Sequence, residues 1–132
     1  MNLEGLVKHQ IKLIENGKLL EAFMKFFSDK VIMRNNNTVF ASNKKEGMEI
    51  QSKFLEGITK FKATVYYSRI KGDISIIGIN YDFTNSEDEQ ITFKGIHKQK
   101  WKNGLIITED FYTDDYLNLP EFEGIVYSVK LQ

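Results

Sequence analysis

The 132-residue chain contains no cysteine, which excludes a disulfide framework, a thiol nucleophile and any Cys-ligated zinc or iron–sulfur centre. It has one proline, Pro120, and no stretch rich in Pro, Ser or Gly that would serve as a linker, so a single domain over residues 1–132 is expected. Charge of one sign is also lacking: 18 Lys plus Arg stand against 18 Asp plus Glu, and only Arg34 and Arg69 among the cations are Arg. Nucleic-acid sites use Arg forks and basic stripes and anionic membranes attract net positive charge, so neither partner is expected. No run approaches the ~20 apolar residues of a membrane span. Residues 1–11 carry Glu4, Lys8, His9 and Gln10 where a signal peptide has its apolar core, so a cytoplasmic protein is expected. The two histidines, His9 and His97, are too few and too far apart for zinc, and the acidic groups Glu87-Asp88-Glu89 and Asp110, Asp114, Asp115 lack calcium-loop spacing. With phosphate loops and nucleophile elbows absent as well, no metal and no cofactor are expected.

What is present is strong periodicity. Leu3, Leu6, Val7, Ile11, Leu13 and Ile14 recur every three to four positions, which predicts a helix capped by Asn2 and released at Gly17. Leu19, Leu20, Phe23, Met24, Phe26 and Phe27 predict a second helix that closes at Ser28 and Asp29. Short strands are expected over 31–34 and 38–41 around a turn at 35–37. A third helix starts near Asn43, with Glu46 completing a capping box, and runs through Gln51, Phe54, Leu55 and Ile58. Beyond Thr59 the pattern is sheet: strands over 61–71 and 74–83 joined by Gly72-Asp73, an acidic turn over 84–90, then two more strands joined by Asn103-Gly104. Three helices followed by a long, curved antiparallel sheet form an α+β architecture.

The strand before Asn103 carries the chemistry. Lys94, Lys98, Lys100 and Lys102 alternate with Phe93, Gly95, His97, Gln99 and Trp101, and period two puts the lysines on one face and the mixed apolar and polar set on the other. His97 then faces a carboxylate on the following strand. A two-residue loop sets it opposite Asp110, and a three-residue loop with a glycine bulge sets it opposite Glu109.

The order of these elements resembles the nuclear transport factor 2-like superfamily, in its SnoaL-like branch with polyketide cyclases and ketosteroid isomerase. Four stretches carry the resemblance: Ile11-Lys12-Leu13-Ile14-Glu15-Asn16-Gly17 with Ser28-Asp29-Lys30-Val31, Gly47-Met48-Glu49 with Phe54, Trp101-Lys102-Asn103-Gly104-Leu105-Ile106, and Asp110-Phe111-Tyr112-Thr113-Asp114. The resemblance covers about residues 1–115 and leaves 116–132, with Ile125, Tyr127, Val129 and Leu131 alternating, as a possible extra strand or a tail. It implies a cone-shaped sheet wrapped around the first helix, a pocket at the open end, and a homodimer through the outer sheet face.

It also implies where catalytic groups would sit. The isomerase's carboxylate base falls on Arg34, which cannot take a proton, its tyrosine falls near Gln10 and its acid on His97. The cyclases' histidine is matched by His97, but their aspartate falls on Phe111. Glu109 is expected on the pocket side with Phe111, beside His97. The expected function is binding of a small organic molecule without a standard catalytic set, in a pocket lined by Arg34, Gln99, Trp101, Phe111, Phe93 and Ile14. Two alternatives stand beside it: acid/base catalysis of the cyclase, isomerase or hydratase type by His97 with Glu109, and a non-catalytic dimerisation or interaction domain.

Overall fold

Asn2 opens the first helix, α1 (Leu3–Glu15), by accepting a 2.9 Å hydrogen bond from the Gly5 amide, and the helix buries Val7, Gln10, Leu13 and Ile14 on one face. Gly17, at φ +78°, turns the chain into α2 (Leu19–Phe26). Phe23 and Phe26 of α2 are fully enclosed, each stabilising the fold by about 1.5–3 kcal/mol through removal of its ring from water. These details come from a computed structural model that describes residues 2–113; the expected strand or tail over 116–132 lies outside the described residues.

Strand β1 (Phe27–Asn35) starts directly at the end of α2, earlier than the expected start at Val31. Asn36 and Asn37, both at positive φ, form a two-residue turn into β2 (Thr38–Ala41), a backbone that Asn adopts at low cost. The third helix, α3 (Lys44–Glu56), is capped by Asn43, which accepts from the Glu46 amide at 2.9 Å, while Glu46 Oε1 accepts from the Ser42 amide at 3.0 Å. Gly47 lets α3 sit close against β1 and α2: a Cβ there would lie 2.7 Å from Met33 Sδ and 2.9 Å from the Phe23 ring.

The remaining strands are β3 (Thr59–Lys71), β4 (Ile74–Thr84), β5 (Gln90–Lys102) and β6 (Leu105–Thr113). Together the six form one curved, open sheet in the order β2-β1-β6-β5-β4-β3. The sheet is mixed, which corrects the expectation of a wholly antiparallel one, because β1 runs parallel to β6. Tight turns force the consecutive strands to be antiparallel, but β1 and β6 are not consecutive, and their period-two patterns carry no information on direction. The inner face packs its apolar residues, among them Val31, Met33, Ile77, Ile79, Trp101 and Ile106, against α1 and α2. The outer face carries a smaller cluster of Ile96 and Tyr112 with Tyr66, Tyr67 and Ile76.

Candidate functional site

Asn103 and Gly104, at φ +53° and +78°, make the expected two-residue turn, with Lys102 opposite Leu105 and Trp101 opposite Ile106. The register then slips, and Lys100 pairs with Thr108, so Ile107 is an extra residue on β6. With a side-chain period of two, one extra residue exchanges the faces of everything beyond it. Thr108 and Asp110 would have faced inward; the bulge sends Glu109 and Phe111 inward instead. Both expected pairings of His97 are therefore corrected: it lies opposite Phe111, Asp110 lies opposite Lys98, and Glu109 lies opposite Gln99.

Glu109 is 5% exposed, and both of its contacts fall on Oε2. Gln99 Nε2 donates to it at 2.7 Å from straight across the ladder, and His97 Nδ1 approaches at 3.3 Å along the diagonal. On the far side of the imidazole, His97 Nε2 meets the Tyr81 hydroxyl at 2.7 Å. Behind Gln99, Ser75 Oγ donates to Gln99 Oε1 at 3.1 Å and itself accepts from Trp101 Nε1 at 2.8 Å. The result is one hydrogen-bonded chain across β4, β5 and β6 in which donors from both ends point towards Glu109. Burying a carboxylate is costly unless it is paired, and this hydrogen-bonded chain supplies pairing that no Lys or Arg provides among the described residues.

With His97 neutral and carrying its proton on Nδ1, Nε2 accepts from the Tyr81 hydroxyl. With His97 charged, Nε2 donates to the Tyr81 oxygen and the phenolic O–H turns towards the cavity. Burial, with Glu109 adding to it, pushes the Tyr81 hydroxyl far above the usual phenol range, so the proton stays on oxygen in the resting site. The Phe111 ring lies over the imidazole, centroids 4.6 Å apart, and Tyr81 stacks on Phe93 at 5.0 Å. Gly95 makes room for this arrangement, since a Cβ there would overlap the Phe111 ring.

Two adjoining cavities meet at this wall. The outer one, about 470 Å³, is lined by Met33, Phe40, Phe93 and Phe111 from the sheet and by Ile50 and Phe54 from α3. The inner one, about 40 Å³, reaches Gln10, Ile14 and Gln99. Leu19, Gln51, Tyr81, His97 and Glu109 line both.

Of the residues singled out from the sequence, the fold gathers His97, Glu109, Gln99, Phe93, Phe111 and Ile14 around the cavities. Two are placed elsewhere. Trp101 is buried in the core and touches the site only through its bond to Ser75. Arg34 faces the outer side of the sheet, where Nε and Nη2 donate to the two carboxylate oxygens of its register partner Asp110 and so raise its pKa. It is Met33 and Asn35, the neighbours of Arg34, that line the outer cavity, and neither is a carboxylate. Sequence reasoning missed Tyr81, Ser75 and Gln51. A signal for the first two exists: Ser75, Ile77, Ile79, Tyr81 and Phe83 form the inward row of β4, and the hydroxyls in that row need partners.

Among the described residues, no cluster of His, Asp and Glu could hold a metal ion, and no helix is long and apolar enough to cross a membrane.

No family model and no curated protein matches the sequence. Solved structures do match in fold. One assigned to the SnoaL-like polyketide cyclases, from Mesorhizobium loti, superposes with a TM-score of 0.72 at 20% identity, covering 85% of this chain and 99% of that one. A nuclear transport factor 2-like protein of unknown function from Burkholderia pseudomallei gives a TM-score of 0.71 at 12% identity, covering 88% and 95%. A protein with a ketosteroid isomerase-like fold from Catenulispora acidiphila, in complex with trimethylamine, gives 0.68 at 11%, covering 83% and 85%. This chain therefore has the nuclear transport factor 2-like α+β fold.

Proposed function

We propose that this chain, built on the nuclear transport factor 2-like cone, binds a small and mostly apolar organic molecule in the outer cavity, with its polar group set against Tyr81, His97 and Glu109. The observation that carries the reading is the placement of one buried hydrogen-bonded chain, Tyr81 to His97 at 2.7 Å and His97 to Glu109 at 3.3 Å, in the wall of a mostly apolar cavity of about 470 Å³. Such a pocket takes up a ligand by burying its apolar body and orients it through a few polar groups. The Catenulispora neighbour, which holds trimethylamine, supports a small organic ligand for a cavity of this fold.

A thermal-shift screen of cyclic and aromatic compounds tests the proposal. A bound compound at 100 times its Kd stabilises the folded state by about 2.7 kcal/mol. Ile50→Trp, at an exposed position on the lip of the outer cavity, is expected to abolish the shift while leaving the fold intact. A shift that persists in Ile50→Trp would place the compound elsewhere and count against the cavity.

The same geometry favours acid/base chemistry as a second reading. A ligand proton can pass to the Tyr81 oxygen while the phenolic proton moves to His97 Nε2, and Glu109 stabilises the imidazolium that forms. Turnover that survives both His97→Gln and Tyr81→Phe would rule this out.

Two further parts of the reading are a homodimer and a cytoplasmic location. Light scattering at micromolar concentration tests the dimer. Cell fractionation tests the location.

A further inference from the structure

Beside the inner cavity, two buried amide oxygens have no donor among the described residues. Gln10, on α1, is 1% exposed, yet its Oε1 has no hydrogen-bond partner among the described residues, and the buried Oε1 of Gln51, on α3, has none either. Both line the 40 Å³ cavity together with Glu109, whose Oε2 receives both of that residue's contacts. Buried amide oxygens are normally paired because leaving them unpaired is costly. Two of them, on different helices, border one chamber beside a carboxylate whose Oε1 makes neither of the two contacts.

The fixed charge agrees. Neither cavity is lined by Lys or Arg among the described residues, and Glu109 lines both. Arg34, the cation expected there, is on the other face of the sheet. A carboxylate or phosphate in this chamber would face the Glu109 carboxylate with no Lys or Arg in the described lining to offset it. An ammonium group would meet the Glu109 carboxylate as its counter-charge. On the scale at which about 10–15 Å³ admits one water, 40 Å³ admits a head group of one or two heavy atoms.

We infer that the ligand is an amine: a protonated primary or secondary amino group seated at the inner cavity against the Glu109 carboxylate, beside Gln10 and Gln51, on an aromatic or cyclic body that fills the outer cavity. This deepens the small-molecule reading and rests on it.

The test is calorimetric titration of the full chain at neutral pH with three matched probes: benzylamine, anisole as a ring without donors, and benzoate. Benzylamine is expected to bind about tenfold or more tightly than benzoate, with anisole between them. Gln10→Leu is expected to remove most of the advantage of benzylamine over anisole while raising Tm, because it deletes an unpaired buried oxygen. Should that variant fail to fold, Gln51→Leu, at a partly exposed helix position, gives the same readout. Benzoate binding as tightly as benzylamine, or a benzylamine preference unchanged in Gln10→Leu, would overturn the inference and leave the cavity reading intact. Failure of all three probes to bind would overturn both.

Discussion

His97 reaches Glu109 diagonally, Nδ1 to Oε2 at 3.3 Å, although the residue directly across the strand from it is Phe111. The contact exists because Ile107 adds one residue to β6 and turns Glu109 inward. The imidazole is thereby held between a carboxylate on one nitrogen and the Tyr81 hydroxyl on the other, under the Phe111 ring.

Replacing the carboxylate should destabilise the fold according to what is left unpaired. Glu109→Leu strands Gln99 Nε2 and His97 Nδ1 in a buried wall, at about 1–3 kcal/mol for each donor. Glu109→Gln retains an oxygen able to accept at least one of them and should cost clearly less. Urea unfolding separates the two variants, and equal losses would mean that the pairing contributes little.

The Tyr81 hydroxyl gives the site an alkaline signature. Its folded pKa lies far above the unfolded value of 10.0 through burial and then Glu109, and burial raises Tyr66 in the same direction. The folded state thus keeps protons that the unfolded state releases, so this contribution is intact below about pH 10 and is lost as pH rises above it. Stability should fall with rising pH in that range, and Tyr81→Phe should flatten the fall while costing about 1 kcal/mol at neutral pH for the lost bond to His97. Urea midpoints across the alkaline range check both; an unchanged slope in Tyr81→Phe would contradict the assignment.

Gly95 is required by the ring above it. Gly95→Ala places a methyl group inside the present position of Phe111, and such overpacking costs about 1–3 kcal/mol. The ring should move off His97, so benzylamine affinity and thermal stability are expected to drop together. Stability equal to the parent protein would show that the ring yields freely.

Arg34 should be dispensable for the cavity. It is paired with Asp110 on the outer face and its side chain is 37% exposed, so Arg34→Gln is expected to cost about 1 kcal/mol or less and to leave ligand affinity unchanged. A loss of affinity on that substitution would contradict the assigned face.

Much of this was legible in the sequence because it rests on local rules. Asn2 and Asn43 cap their helices, Gly72-Asp73 and Asn103-Gly104 close hairpins, and the alternation of β5 puts Phe93, His97 and Gln99 on one face. The rest depends on pairing over distance. Ile107 looks like any other β-branched residue in a strand, so the bulge that decides whether Glu109 or Asp110 enters the site leaves no mark in composition. The face of Arg34 follows from the parallel pairing of β1 with β6, more than 70 residues apart. Tyr81 joins His97 only through the register of β4 on β5, and Gln10 and Gln51 come to one cavity only when α1 and α3 are both in place.

The most direct test of the central claim uses the scarcity of histidine. The chain has two, and they are far apart in role: His97 lines both cavities, whereas His9, on α1, packs edge-on against Phe26 of α2. Side-chain nitrogen NMR during titration with a compound that raises Tm should show the His97 imidazole signals moving to saturation with the binding curve while those of His9 stay in place. Saturable binding that leaves His97 unmoved would contradict a ligand seated against Tyr81, His97 and Glu109.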